Sequence, residues 1–161
     1  MDKRIKKDLT TQDLDYQTYM LICQVRDTIL EAREYEMQQY GVTAIQAGVM
    51  FFIQIAGGSA SQIEIARYLL RKPSSISGIL GRMEKSGLAI KTVDPVKKGM
   101  TKVTLTEKGK QIYKQSLKRE SIHGMFTCLS NEERSQLKQL LQKLRNHAIG
   151  ETGKRRQVPF P

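Results

Sequence analysis

Between Ser61 and Thr106 the spacing of apolar residues falls from a helical period of about 3.6 to a strand period of about 2, and this change restricts the fold more than any other feature of the chain. Ser61 and Glu64 have the spacing of a capping box, in which a hydroxyl and a carboxylate satisfy two free N–H groups at a helix start. Ile65, Ala66, Leu69 and Leu70 then offer one apolar face, which predicts a short helix. Pro73 opens a second helix, because its missing N–H has no intrahelical partner in the first turn. Ile76, Ile79, Leu80 and Met83 fall at i, i+3, i+4 and i+7, a single core face in a helix running to Ser86. Gly87 suits a left-handed cap, with Leu88 placed for the apolar contact that accompanies it. Next, Leu88–Val93 and Thr101–Thr106 alternate as strands, joined by a lysine-bearing turn over Asp94–Met100. Two short helices followed by a strand pair with a basic tip make a winged helix-turn-helix.

The flanks are helical. From Leu14 to about Gln39 there is no Gly or Pro, and apolar residues form two stripes, Tyr16-Tyr19-Cys23-Leu30-Met37 and Ile22-Val25-Ile29-Ala32. One stripe suffices for a monomer core, so the second is expected to meet another chain. Gly41 ends this helix and Thr43 caps the next, Ala44–Ala56, which is apolar nearly all round and is expected at the centre of the core. Its Met50, Phe51 and Phe52 suit core packing better than an effector pocket. After the strands, one helix is expected from near Thr106 past Leu117. A last helix, capped by Ser130 and Glu133, carries Leu137, Leu140, Leu141, Leu144 and Ala148 on one face. The fold class is therefore mainly α with a small β-wing, with about six helices in a single domain over 1–161. Residues 10–40 and 110–149 are the dimerisation helices, 42–109 the winged helix-turn-helix, and 150–161 a mobile basic tail. The expected dimer seam contains Ile22, Ile29, Leu137, Leu141 and Leu144.

Charge points to the partner. The 161 residues include 27 Lys and Arg against 16 acids, a net charge of +11. Such an excess repels itself in a compact fold and calls for a polyanion, nucleic acid before an anionic membrane surface. No apolar run approaches the roughly 18 residues of a membrane span, and Met1–Asp8 has no apolar block behind it, so neither a span nor a signal peptide is expected. With 2 cysteines there is no disulfide framework, and a reducing cytoplasm is the expected compartment. His123 and His147 have no Cys or carboxylate at ligand spacing, which leaves no metal site, and no catalytic constellation or cofactor motif occurs.

The basic residues gather mid-chain, and the helix over Pro73–Lys85 concentrates the chemistry. Opposite its core face lie Ser74, Ser75, Ser77, Gly78, Arg82 and Lys85. Small hydroxyls with one or two long cations can enter a major groove about 12 Å wide, and Arg82 can grip a guanine edge or a phosphate. Two glycines inside this helix cost roughly 1 kcal/mol each relative to alanine. Gly78 is expected to admit DNA and Gly81 to pack against the preceding helix. Ser61, Gln62, Arg67, Arg71 and Lys72 are expected to contact phosphates, and Lys97, Lys98 and Lys102 to carry the wing to the adjacent groove or backbone. Two other readings fit the composition: a non-specific architectural DNA-binding protein, with equal affinity for any duplex, and a winged helix used for protein contact, with no salt-sensitive DNA binding.

Three stretches, Ser61–Leu69, Ser77–Leu88 and Val103–Gly109, together resemble the MarR family of bacterial transcriptional regulators, in detail from about Ala44 to Gly109. The resemblance implies a sequence-specific regulator of double-stranded DNA, a repressor on a near-palindromic operator of the nucleoid. It also implies a homodimer through the first helix and the last two, released by a small molecule or an oxidant. Some relatives sense oxidants through a cysteine on the first helix, the place of Cys23, although an apolar stripe is the ordinary setting of a small core residue. The wing departs from the family pattern: where an Asp-x-Arg pair usually stands, this chain has Lys97 and Gly99.

Overall fold

The computed structural model describes residues 13–93 and 101–151. Helix α1 spans Leu14–Gln38, with the Asp13 side chain accepting the Tyr16 N–H at its start, and α2 spans Ala44–Ile55 behind a Thr43–Gln46 capping box. The predicted box at Ser61 and Glu64 opens α3, Gln62–Tyr68, and Pro73 opens α4, Pro73–Lys85. Strand β1 is Ser59–Ser61, β2 Ala89–Val93 and β3 Thr101–Leu105. Helices α5 (Glu107–Ser116), α6 (Glu120–Met125) and α7 (Asn131–Glu151) complete the order.

The sheet has three antiparallel strands in the order β1-β3-β2. The sequence expectation contained only β2 and β3. Ser59–Ser61 is too short to show an alternation of its own; it is a strand because Gly57 and Gly58, both at positive φ, turn the chain off α2 so that Ala60 pairs with Val103. Opposite, Lys91 pairs with Val103 and Ala89 with Leu105.

Among the described residues, the buried apolar ones all lie between Met37 and Leu105. They come from the end of α1, from α2, from α3 and α4, and from the sheet. Phe52 stacks on Tyr68 with ring centroids 4.5 Å apart, and Met50 is fully buried, so this part of α2 is core. Helix α7 buries no residue at all.

Two local expectations are corrected. Leu70 is not on an inner face: α3 ends at Tyr68, and Leu70 takes φ 51° in the turn, which exposes it. The left-handed backbone costs a non-glycine residue roughly 1 kcal/mol, and here it forms part of the turn between α3 and α4. The helix expected to run past Leu117 ends at Ser116 because a buried carboxylate stops it. Glu36 of α1 accepts the backbone N–H groups of Glu120 (3.0 Å) and Ser121 (3.2 Å), together with the Ser121 hydroxyl, and so caps α6. Arg33 completes the knot, pairing with Glu36 at 2.7 Å and donating to the Ser116 carbonyl at 2.7 Å. Burial alone would raise the Glu36 pKa, but the Ser121 and Arg33 contacts outweigh it and hold the carboxyl below its ordinary range.

Candidate nucleic-acid interface

Helix α4 has two unlike faces. Ile76, Leu80 and Met83 are fully buried and Ile79 nearly so, whereas Ser74, Ser75, Ser77, Gly78, Arg82 and Lys85 are all exposed. Its start is open as well: Lys72 makes no side-chain cap and no acidic residue occupies the first turn, so the first N–H groups and the positive end of the helix face outward beside Ser74 and Ser75. The Gln62 amide donates to the Pro73 carbonyl at 3.0 Å, tying α3 to the start of α4. Arg67, Arg71 and Lys72 are exposed around this corner.

The other end of α4 is locked to the wing. Gly87, at φ 66°, turns the chain so that the Leu88 N–H donates to the Met83 carbonyl at 2.8 Å. Thr106 donates its hydroxyl to the Gly87 carbonyl at 2.7 Å and its N–H to the Leu88 carbonyl at 3.1 Å. Lys108 reaches the Ser86 carbonyl at 2.9 Å, and Lys91 of β2 pairs with Glu84 at 2.5 Å. Gly109 is obligatory here: a Cβ would stand 2.1 Å from the Leu88 carbonyl oxygen. Thr106, Lys108 and Gly109 thus fix the wing relative to α4. They lie inside the Val103–Gly109 stretch, but a tertiary lock of this kind leaves no periodicity to read.

Two expected contacts change. Ser61 is 7% exposed and its hydroxyl accepts the Glu64 N–H, so it serves the fold and is not offered to DNA. Gly81 is not pressed against the preceding helix: a Cβ there would meet no atom of it within 4 Å, and three residues from Gly78 it lies toward the outer face. Lys102 is exposed on β3, while Lys97 and Lys98 lie outside the described residues.

An open cleft of about 700 Å3 lies behind α4, between α1 and α2. Leu30, Ile45, Leu69 and Ile79 give it apolar walls, and Arg71 and Ser75 belong both to it and to the exposed corner. Cys23, by contrast, is half-buried on α1 near the Tyr16–Tyr19 ring pair; its hydrogen bond with the Tyr19 hydroxyl is the chief reason that phenol titrates above its ordinary range.

A model of the MarR family matches residues 40–98. RdhR, an organohalide-sensing transcriptional regulator solved ligand-free and bound to 2,4-dichlorophenol, is 30% identical, with a TM-score of 0.85 over 95% of this chain and 93% of that one. The chain belongs to the MarR family. It is accordingly a transcriptional regulator. The same fold recurs in a mutant MarR from Escherichia coli complexed with operator DNA, at 22% identity and TM-score 0.75 over 83% of this chain and 99% of that one. It recurs again in AbsC of Streptomyces coelicolor, at 18% identity and TM-score 0.79 over 87% and 97%. No curated protein sequence matches the chain significantly. Among the described residues, no helix of this family member is long and apolar enough to cross a membrane.

Proposed function

We propose that this MarR-family protein is a homodimeric repressor that binds a near-palindromic operator in double-stranded DNA through the outer face of α4 and is released by a small molecule in the cleft behind it. The carrying observation is the division of α4 into a buried apolar face and an exposed face of serines, Gly78, Arg82 and Lys85. On that face Ser74, Ser75, Ser77 and Arg82 meet base edges, and Gly78 and Gly81 let the helix backbone approach closely. The open helix start with Lys72, together with Gln62, Arg67 and Arg71, holds phosphates. Lys97, Lys98 and Lys102 bring the wing to the backbone as point charges, without the reach of an arginine into the minor groove.

The dimer follows from what the terminal helices leave uncovered. Leu137, Leu140, Leu141 and Leu144 are all exposed on α7, and Tyr19, Val25 and Leu30 on α1. A second copy would cover these faces with Ile22 and Ile29 at the seam, and would place two α4 helices in successive major grooves about 34 Å apart. The net charge of +11 supplies sequence-independent affinity. The protein works in the bacterial cytoplasm, on the nucleoid.

For release, RdhR is the relevant relative, since it is solved with and without 2,4-dichlorophenol. In this chain the cleft reaches Ser75 and Ile79 of α4, so an occupant would bear directly on the helix that reads DNA. An oxidant input would rest on Cys23 alone; Cys23→Ser, compared with the parent for release by peroxide, tests it. The decisive experiment for the whole reading is selection of bound fragments from random duplexes. A regulator enriches one near-palindrome; an architectural binder enriches none, and a protein-contact winged helix retains no duplex in a salt-sensitive way.

A further inference from the structure

The cleft between α1, α2 and the start of α4 is lined by more acidic than basic side chains in a chain of net positive charge, and we propose that it takes a hydrophobic cation, an organic ammonium or phosphonium with apolar substituents. This names the ligand class of the regulator described above and rests on that reading. Asp27, Glu31 and Glu34 stand at i, i+4 and i+7 along α1, one stripe of a helix, and all three line the cleft. Arg71 is the one basic residue lining the same cleft, in a chain whose net charge is +11. The net excess of the chain favours anions; at this cleft the local carboxylates oppose them.

The three carboxylates are not equivalent. Glu34 is spent on the fold, accepting the Ala44 N–H at 2.6 Å, and Asp27 is already answered by Arg26 at 2.6 Å. Glu31 is exposed and makes no ion pair among the described residues, so its charge is the one offered to a ligand. The apolar walls are Leu30, Ile45, Leu69 and Ile79, and Gly48 keeps the floor low, since a Cβ there would already touch Leu69 at 3.4 Å. An apolar cleft with carboxylates among its lining residues suits a ligand whose hydrophobic body is buried and whose charge is positive and spread over a large group. A phenolate of the same size would gain the walls and lose at the carboxylates.

Tetraphenylphosphonium and tetraphenylborate, alike in shape and opposite in charge, separate these terms. Each is titrated calorimetrically into the full chain without DNA, and operator binding of every variant is measured alongside. Wild type should bind the phosphonium at one site per chain, Glu31→Gln about five- to tenfold more weakly, and Glu31→Lys not detectably, with the borate gaining in the same order. Glu31 is exposed, so both variants should fold and bind operator as the parent does. Phosphonium affinity unchanged by either substitution, or 2,4-dichlorophenol bound more tightly than the phosphonium and indifferent to Glu31, overturns the inference while retained operator binding leaves the regulator standing. Glu31-dependent phosphonium binding in a protein that binds no operator supports the cleft and overturns the regulator.

Discussion

Replacing Gly78 and Gly81 by alanine should make the free protein more stable and the DNA complex weaker. In a helix interior, glycine is about 0.8–1.0 kcal/mol less favourable than alanine. Nothing in the structure subtracts from that gain. The new methyl at position 78 would lie 3.8 Å from the Arg82 guanidinium, an ordinary contact, and at position 81 it would meet no atom within 4 Å. Each substitution should therefore raise the melting temperature by about 2–4 °C, the shift that roughly 1 kcal/mol produces in a domain of this size. Gly109→Ala is the steric contrast. Its methyl would stand 2.1 Å from the Leu88 carbonyl oxygen, and overpacking of this kind costs about 1–3 kcal/mol, so the melting temperature should fall. If the outer face of α4 lies against a groove floor, Gly78→Ala holds the backbone off the bases and should lose on the order of tenfold, about 1.4 kcal/mol, on the operator. Thermal melts without DNA and operator titrations at fixed salt read both effects. A Gly78→Ala protein that melts higher and binds the operator within twofold of the parent would refute the placement of this face in the groove.

Other outcomes follow from the same geometry. Arg82→Ala should lose on the order of 1–3 kcal/mol on the operator and much less on random duplex, whereas Arg67→Ala should weaken both alike and flatten the salt slope by about one unit; titrations of each duplex over a salt series check this. Leu141→Glu should put a charge into the apolar seam and shift sedimentation from a dimer to the 18.4 kDa chain, with loss of operator binding. Glu36→Gln should cost about 3 kcal/mol, because Arg33 is left buried without its partner. Since the Glu36 pKa is lowered in the folded chain, the parent's advantage should be complete above the ordinary glutamate range and shrink as pH falls through the folded value, which denaturant titrations from pH 7 downward will follow.

What could be read from the sequence was what local chemistry decides. The capping box at Ser61, Pro73 at a first turn, the i, i+3, i+4, i+7 face of α4 and the Gly87 cap each depend on residues within one or two turns of each other, and all stand in the structure. The missed features depend on distant partners. Strand β1 exists through pairing with β3, across some forty residues of chain. The break between α5 and α6 is made by Glu36, whose nearest sequence clue is only an acid on a long helix.

The candidate site divides the same way. Its exposed α4 face was legible because it is the complement of an apolar stripe. Ser61 was not, because a hydroxyl that caps a helix and one that meets a phosphate look alike in sequence. Gly81 misled for a related reason: a helical glycine signals close approach without saying by what. The cleft was invisible because α1, α2 and the α3–α4 turn each contribute only a few of its lining residues, whereas Met50 and Phe52, expected to suit core packing, are core.

Methylation interference on the selected operator probes the contact of α4 with DNA itself, because a methyl on guanine N7 blocks the major-groove edge that Arg82 would grip. Two α4 helices of one dimer should make binding sensitive to N7 methylation in two patches, on one side of the duplex and about one helical turn apart, related by the operator's two-fold axis. Arg82→Ala should abolish the sensitivity in both patches together. A single sensitive patch, or interference that persists in Arg82→Ala, would contradict the account.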